Sequence, residues 1–218
     1  LPKEPAVGTV DLPPPLLSGV SAGKEQVDIR TEEQERSPPQ RVWRVVPVTK
    51  DPRAPAWVVG SLVHEALADW RFPGSVHFEP WVRARARSYG ITDALQLTHA
   101  VTRTGRLLRR FQGHALCLAM NGATRRLHEV PYSIEIDGQV ESGIIDALFL
   151  DEGAWKVVEF KTNYLRGLED KARLLQKENY VEQAKRYRRA VEQLLGVSPT
   201  VILCLLDYAG SIYLEYLG

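Results

Sequence analysis

The sequence predicts an α/β fold: a mixed, largely antiparallel sheet flanked by helices, preceded by an N-terminal extended arm and a helical segment. Three observations carry this expectation. Residues 127–136, 139–150 and 155–161 alternate in polarity, and Asp137-Gly138 and Glu152-Gly153 between them are residue pairs that favour tight hairpin turns. On both sides of this meander, apolar residues recur at helical spacing. Two further apolar runs, 200–206 and 211–217, flank Ala209-Gly210 and close the chain as strands.

Ten of the fourteen prolines fall before residue 56, and the charged stretch from Lys24 to Arg36 has little apolar periodicity. Residues 1–56 therefore read as a linker or extended arm, and 57–218 as one folded domain. A 218-residue chain with 44% apolar content can bury a sizeable core without disulfides. The chain starts at Leu1 and its only methionine is Met120, so we expect a piece of a longer polypeptide with a domain upstream.

The first helix spans Gly60 to Trp70, with Leu62, Val63, Ala66, Leu67 and Trp70 as its stripe and Ser61 as its N-cap, and it carries His64. A second helical zone runs from Thr92 to Met120, broken or bent near Gly105 and Gly113. A later helix, from Glu178 to Leu195, presents Tyr180, Ala184, Tyr187, Val191 and Leu194 on one side.

Composition narrows the function classes. No apolar run approaches the roughly 20 residues of a membrane span, and no leader pattern opens the chain, so a soluble, cytoplasmic protein without a membrane partner is expected. Cys117 and Cys204 are the only thiols, too few for a four-thiolate zinc or iron–sulfur site. The formal net charge is +1, but arginines and lysines cluster at 83–87, 103–110 and 185–189, which read either as solvated helix faces or as local phosphate contacts.

Two-residue turns fix register. Ile136 facing Gln139 puts Glu129 opposite Asp146, and Asp151 facing Ala154 puts Asp146 opposite Glu159. Alternation sends Lys161 to the face that holds Glu159. Carboxylates that close repel one another, and their neighbours are apolar. Either a divalent cation offsets the repulsion, or one carboxylate is protonated, or a bulge turns it to solvent. Lys161 adds a cation suited to a transition state rich in negative charge.

Through Gly143-Ile144-Ile145-Asp146-Ala147-Leu148-Phe149 and Val157-Val158-Glu159-Phe160-Lys161-Thr162, the chain resembles the PD-(D/E)XK nucleases, whose core is restriction-endonuclease-like. Within them it looks like the RecB-type nuclease domain at the C-terminal end of bacterial helicase-nucleases such as RecB and AddA. The likeness extends over about 60–217 and includes Gly60-Ser61-Leu62-Val63-His64-Glu65, Glu129-Val130-Pro131-Tyr132, Gln183 and Tyr187. Glu159 stands where these domains often have Asp.

The resemblance implies a Mg²⁺- or Mn²⁺-dependent deoxyribonuclease, an exonuclease, acting in double-strand-break processing. It implies metal ligation by His64, Asp146, Glu159 and the main-chain carbonyl of Phe160. Lys161 would activate water and stabilise charge on phosphorus, with help from Glu129, while Gln183 and Tyr187 would contact DNA or position the lysine. It also implies single-stranded DNA as a partner, delivered by a helicase motor in the same or an associated chain, and no iron–sulfur cluster. Lys171, Arg173, Lys177, Lys185 and Arg186 would hold phosphates without reading sequence. His77, His99, His114 and His128 have no partner pattern and read as structural. The alternative is a non-catalytic DNA-binding or scaffolding module that keeps the nuclease fold.

Overall fold

A computed structural model describes residues 51–136, 138–177 and 180–217. Residues 1–50 of the expected arm, Asp137 of the first turn, the start of the last helix at Glu178, and the side chain of Lys177 lie outside the described residues. The fold is mixed α/β: α1(Ala56–Ala68), α2(Phe78–Ser88), α3(Ala94–Gln112) and α4(Ala115–Gly122) precede β1(Arg125–Ile136), β2(Gln139–Asp151) and β3(Ala154–Lys161). Then follow α5(Leu168–Lys177), α6(Tyr180–Leu195), β4(Thr200–Tyr208) and β5(Ser211–Leu217).

Helix α1 starts four residues earlier than predicted. Pro55, with φ −53°, stands at its entry, and Ser61 lies inside the helix, its hydroxyl donating to the Trp57 carbonyl at 3.0 Å rather than capping. Proline is at home at a helix start because its missing N–H would be unsatisfied there. The helix ends sooner too. Trp70 adopts φ +51°, and the N–H groups of Trp70 and Arg71 close back on the carbonyls of Leu67 and Ala66. This is the left-handed helix stop that usually takes glycine, at a cost of about 1–2 kcal/mol for another residue. The Trp70 ring offsets that cost by packing against Phe72, Phe111 and His128 and under the Arg126 guanidinium.

Helix α2 carries the 83–87 arginine cluster expected on a helix, but its span and its apolar stripe were not predicted. Its buried positions Phe78, Val82 and Ala86 recur every fourth residue among arginines, a stripe too thin to stand out. Asp93 caps α3 by accepting from the Gln96 N–H at 2.9 Å. The helix runs unbroken through Gly105, against which the Phe78 ring packs, and ends at Gly113. His114 then caps α4 through Nδ1, which accepts from the Leu116 N–H at 3.1 Å.

The five strands lie in chain order, β1-β2-β3-β4-β5, with β3 and β4 parallel and every other pair antiparallel. Both predicted hairpin registers hold, with Ile136 facing Gln139 and Asp151 facing Ala154. Glu152 and Gly153, then Ala209 and Gly210, all have φ between +48° and +84°, the left-handed pair that matches strand twist in a two-residue loop. The α5–α6 segment supplies the crossover between parallel β3 and β4.

Helices cover both faces of the sheet. Val58, Leu62, Leu107, Leu108 and Phe111 of α1 and α3 share one core with Phe149, Phe160 and Cys204. Tyr187, Ala190 and Val191 of α6 share a second with Ile134, Ile145, Leu148 and Val157. Leu194, expected on the stripe, is 57% exposed, and the buried stripe of the helix ends at Val191. Buried Asp207 ties α3 to the end of β4 by ion pairs with Arg103 and Arg110. No helix among the described residues is long and apolar enough to cross a membrane.

Candidate metal centre and cleft

The site forms where β1 and β2 change face together. Tyr132, Ile134 and Ile145 belong to the α6-side core, whereas Ala147 and Phe149 belong to the α1-side core and His128 lies on Trp70. Simple alternation does not allow this. The break falls at Glu129, whose φ is +48°, opposite Asp146. Hydrogen-bonded pairing of β2 with β3 stops at Ala147 and Val158, and the freed Phe160 N–H donates to Asp146 Oδ2 at 2.8 Å. The Asp146 carboxylate thus sits in the opening between strands, and its Oδ1 is 3.3 Å from Nδ1 of His64 on α1.

One ligand atom from each of His64, Glu129 and Asp146 lies within 4.8 Å of the others. Ligands on a cation with bonds of about 2.1 Å can be at most about 4.2 Å apart, a spacing that the His64–Asp146 pair at 3.3 Å already meets. One imidazole nitrogen and two carboxylate oxygens suit Mn²⁺, and the exposed Glu129 leaves one side open to water and substrate. The donor set therefore fits a divalent ion.

Glu159 is not brought into that group of three. It lies with Lys161 on the α6 side, both nearly fully buried, with Nζ 3.1 Å from Oε1. The Tyr187 hydroxyl donates to Glu159 Oε2 at 3.0 Å and accepts from Gln183 Nε2 at 2.7 Å. The lysine ammonium also lies 4.9 Å over the Tyr180 ring. The main chain of Phe160 joins the two halves, since its N–H serves Asp146 while its neighbours on either side are Glu159 and Lys161.

Two residues that stand in the sequence motifs, but to which sequence reasoning gave no role, shape this half. Tyr132 stands edge-on to Tyr187, with ring centroids 5.9 Å apart, and lies across Gly143 on the next strand. A β-carbon at Gly143 would meet the Tyr132 hydroxyl at 2.6 Å. The legible signal was a glycine inside an otherwise apolar strand, which marks close approach of a neighbour.

His64 and Glu129 line a cleft of about 1100 Å³, together with Trp57, Tyr89, Tyr164 and Arg53. Arg53 pairs with Asp51 at 2.8 Å, which holds the Asp51 carboxyl down at about 2. His99, also at the cleft, accepts the Ala54 N–H at 3.1 Å. Burial and then the nearby Arg103 and Arg53 guanidiniums keep its pKa below the usual value.

Of the residues expected to hold phosphate, Lys171 is tied to Glu215 at 2.6 Å and to the Tyr213 hydroxyl at 3.1 Å. Lys185 pairs with Glu182 at 2.6 Å, and Arg186 lies 3.7 Å from Glu141. Arg173 is exposed and pairs loosely with Glu169 at 3.4 Å. His77 is exposed at the start of α2, and burial with the Arg126 charge lowers the His128 pKa to about 4. Both cysteines lie in the α1-side core, where burial pushes the Cys117 thiol up to about 11.

No protein-family model matches the chain, and no curated protein does. Among solved structures, it is similar to a putative exonuclease from Eubacterium rectale, at 15% identity and a TM-score of 0.49. That alignment covers 79% of this chain and 61% of the other, so the chain spans about three fifths of that protein. It is also similar to a Vibrio cholerae protein at 9% identity and a TM-score of 0.31, over 70% of this chain and 41% of the other.

Proposed function

We propose that the chain is a divalent-metal-dependent deoxyribonuclease of the PD-(D/E)XK type. The observation that carries this reading is the approach of His64, Glu129 and Asp146 within 4.8 Å, beside a strand that buries Glu159 and Lys161 as an ion pair. His64, Glu129 and Asp146 would hold the cation, with Glu159 and the main-chain carbonyl of Phe160 as the further ligands that the resemblance implies. When bound, the cation supplies positive charge for the phosphate and makes nearby water more acidic.

The chain's own groups do the rest. Lys161 stabilises the extra negative charge on phosphorus and orients the attacking water, which forms the new P–O bond in line as the bond to the 3′ oxygen breaks. The products are a 5′-phosphate and a 3′-hydroxyl, the departing oxygen taking up a proton. Gln183 and Tyr187 act by positioning, since their hydrogen bonds set where the Glu159 carboxylate and hence the lysine stand. In its full setting the domain would receive single strands from a helicase motor during double-strand-break processing.

The test is digestion of end-labelled single- and double-stranded DNA with Mg²⁺, with Mn²⁺ and with chelator. Asp146→Asn retains an acceptor for the Phe160 N–H, and it and Lys161→Ala should stay folded by circular dichroism yet lose cleavage. Wild-type rates from either variant would exclude the assignment. Wild-type protein that binds DNA and Mn²⁺ but cuts nothing would favour the non-catalytic module.

A further inference from the structure

The cleft beside the metal centre is walled by aromatic rings more than by available cations. Tyr164 is 60% exposed and stands between this cleft and a second depression of about 490 Å³ lined by Arg166 and Arg173. Trp57 is half-buried and packs edge-on against Tyr89, with centroids 5.8 Å apart, which fixes the orientation of its ring. Both arginines of the described lining are already paired, Arg53 with Asp51 and Arg103 with buried Asp207. His99 spends its Nδ1 lone pair on the Ala54 N–H, and burial and then the Arg103 and Arg53 guanidiniums disfavour its charged form.

A strand that reaches His64 and Glu129 through such a cleft meets few unpaired positive charges but several π faces. A duplex hides its bases within the stack, and a concavity of this size, about 1100 Å³, lies just above the range of small-ligand sites, about 300–1,000 Å³. It accommodates a few unpaired nucleotides. We propose that an unpaired DNA strand is held in this cleft by stacking a base on Tyr164, with Trp57 as a second platform, and passes over Tyr164 toward Arg166 and Arg173.

This rests on reading the His64 group as a phosphodiester-hydrolysing centre, and it adds the source of affinity: base stacking dominates and phosphate neutralisation is minor. Each stacked base is worth about 5- to 150-fold in affinity by alanine substitution. Each phosphate contact contributes about 0.7 to the slope of log affinity against log salt on single strands. One or two contacts then give a slope of only about 0.7–1.4.

The test uses the full chain in Ca²⁺ with three fluorescein-labelled probes: a thymidine 12-mer, an abasic 12-mer of equal charge, and a 12-base-pair duplex. The thymidine strand should bind at least about fivefold more tightly than either of the others, with a shallow salt slope. Tyr164→Ala, at an exposed position that leaves the core intact, should remove about fivefold or more of that affinity and leave abasic binding unchanged, while Tyr164→Phe should bind like wild type. Equal affinity for thymidine and abasic strands, or a Tyr164→Ala loss that is absent or shared by the abasic probe, overturns the proposal. Cleavage in Mn²⁺ separates the two readings. Wild-type cutting with an unchanged KM for Tyr164→Ala refutes the stacking platform alone, whereas absence of cutting by wild type refutes the nuclease reading beneath it.

Discussion

Replacing Tyr187 with Phe removes one oxygen from the middle of a buried chain of hydrogen bonds. That hydroxyl has a single proton, and Glu159 Oε2 at 3.0 Å takes it in preference to the Ile144 carbonyl at 3.3 Å, because the carboxylate is charged and closer. It also accepts from Gln183 Nε2 at 2.7 Å, and Gln183, Tyr187 and Glu159 are each only 2–3% exposed. A hydrogen bond to a charged group contributes about 1.5–3 kcal/mol, and a buried amide that loses its acceptor costs about 1 kcal/mol or more. Tyr187→Phe should therefore cost about 2–4 kcal/mol. At about 2–4 °C per kcal/mol for a domain of this size, the melting temperature should fall by about 5–15 °C. Cleavage should fall at least about tenfold, equivalent to about 1.4 kcal/mol, because a Glu159 carboxylate deprived of one donor draws harder on Lys161, 3.1 Å away. Urea unfolding and single-turnover digestion read the two effects. A double-mutant cycle with Gln183→Leu should give a coupling above about 0.5 kcal/mol. Stability within about 0.5 kcal/mol of wild type, or a coupling near zero, would refute the hydrogen-bonded chain as drawn.

Other consequences can be measured on the same protein. Gly143→Ala should lose about 1–3 kcal/mol and slow cleavage, since the new methyl displaces Tyr132 and, through it, Tyr187; an unchanged rate would show that Tyr132 does not position the site. Millimolar Mn²⁺ should raise the melting temperature, by an amount equivalent to about 2.7 kcal/mol at a hundredfold excess over Kd, and His64→Ala should abolish the preference for Mn²⁺ over Mg²⁺. Burial pushes the Asp207 carboxyl up, but the guanidiniums of Arg110 and Arg103 outweigh it and hold the pKa below the usual 3.8. Its stabilisation is thus complete above pH 3.8 and is lost as pH falls through the lowered folded value. Asp207→Asn should cost about 3–5 kcal/mol at pH 7, with the gap to wild type closing in acid; a gap that stays constant down to pH 2 would contradict the ion pairs.

Much of the fold was legible because its instructions are local. Glu152-Gly153 takes left-handed conformations that only a few residue types accept readily, so the β2–β3 register follows from two residues and the alternation around them, whereas Ala209-Gly210 fixes only Tyr208 opposite Ser211 before an irregularity near Leu205 shifts the rest of the β4–β5 pairing. The pairing of Glu159 with Lys161 on one face was legible for the same reason, as a matter of period. Of helix α2 only the arginine cluster was legible, because its apolar stripe of Phe78, Val82 and Ala86 is stabilised by packing rather than by a pattern strong enough to read alone. Helix α5 also escaped, a charged ten-residue segment whose Lys171 is held by Glu215 and Tyr213 from the far end of the chain.

The sequence by itself determined which carboxylates could meet, and tertiary structure decided which of them do. Alternation predicted a row of Glu129, Asp146 and Glu159 across three strands, but a positive φ at Glu129 and the end of the β2–β3 ladder turn Asp146 toward His64 instead. Glu159, on the other face, is claimed by Lys161 and by Tyr187 of a helix whose docking no local rule encodes. Register depends on a few neighbouring dihedrals and is written into short stretches of chain. The partner that a buried charge finds depends on which distant elements pack over it, because burial penalises every unpaired alternative, and that is settled only when the whole core assembles.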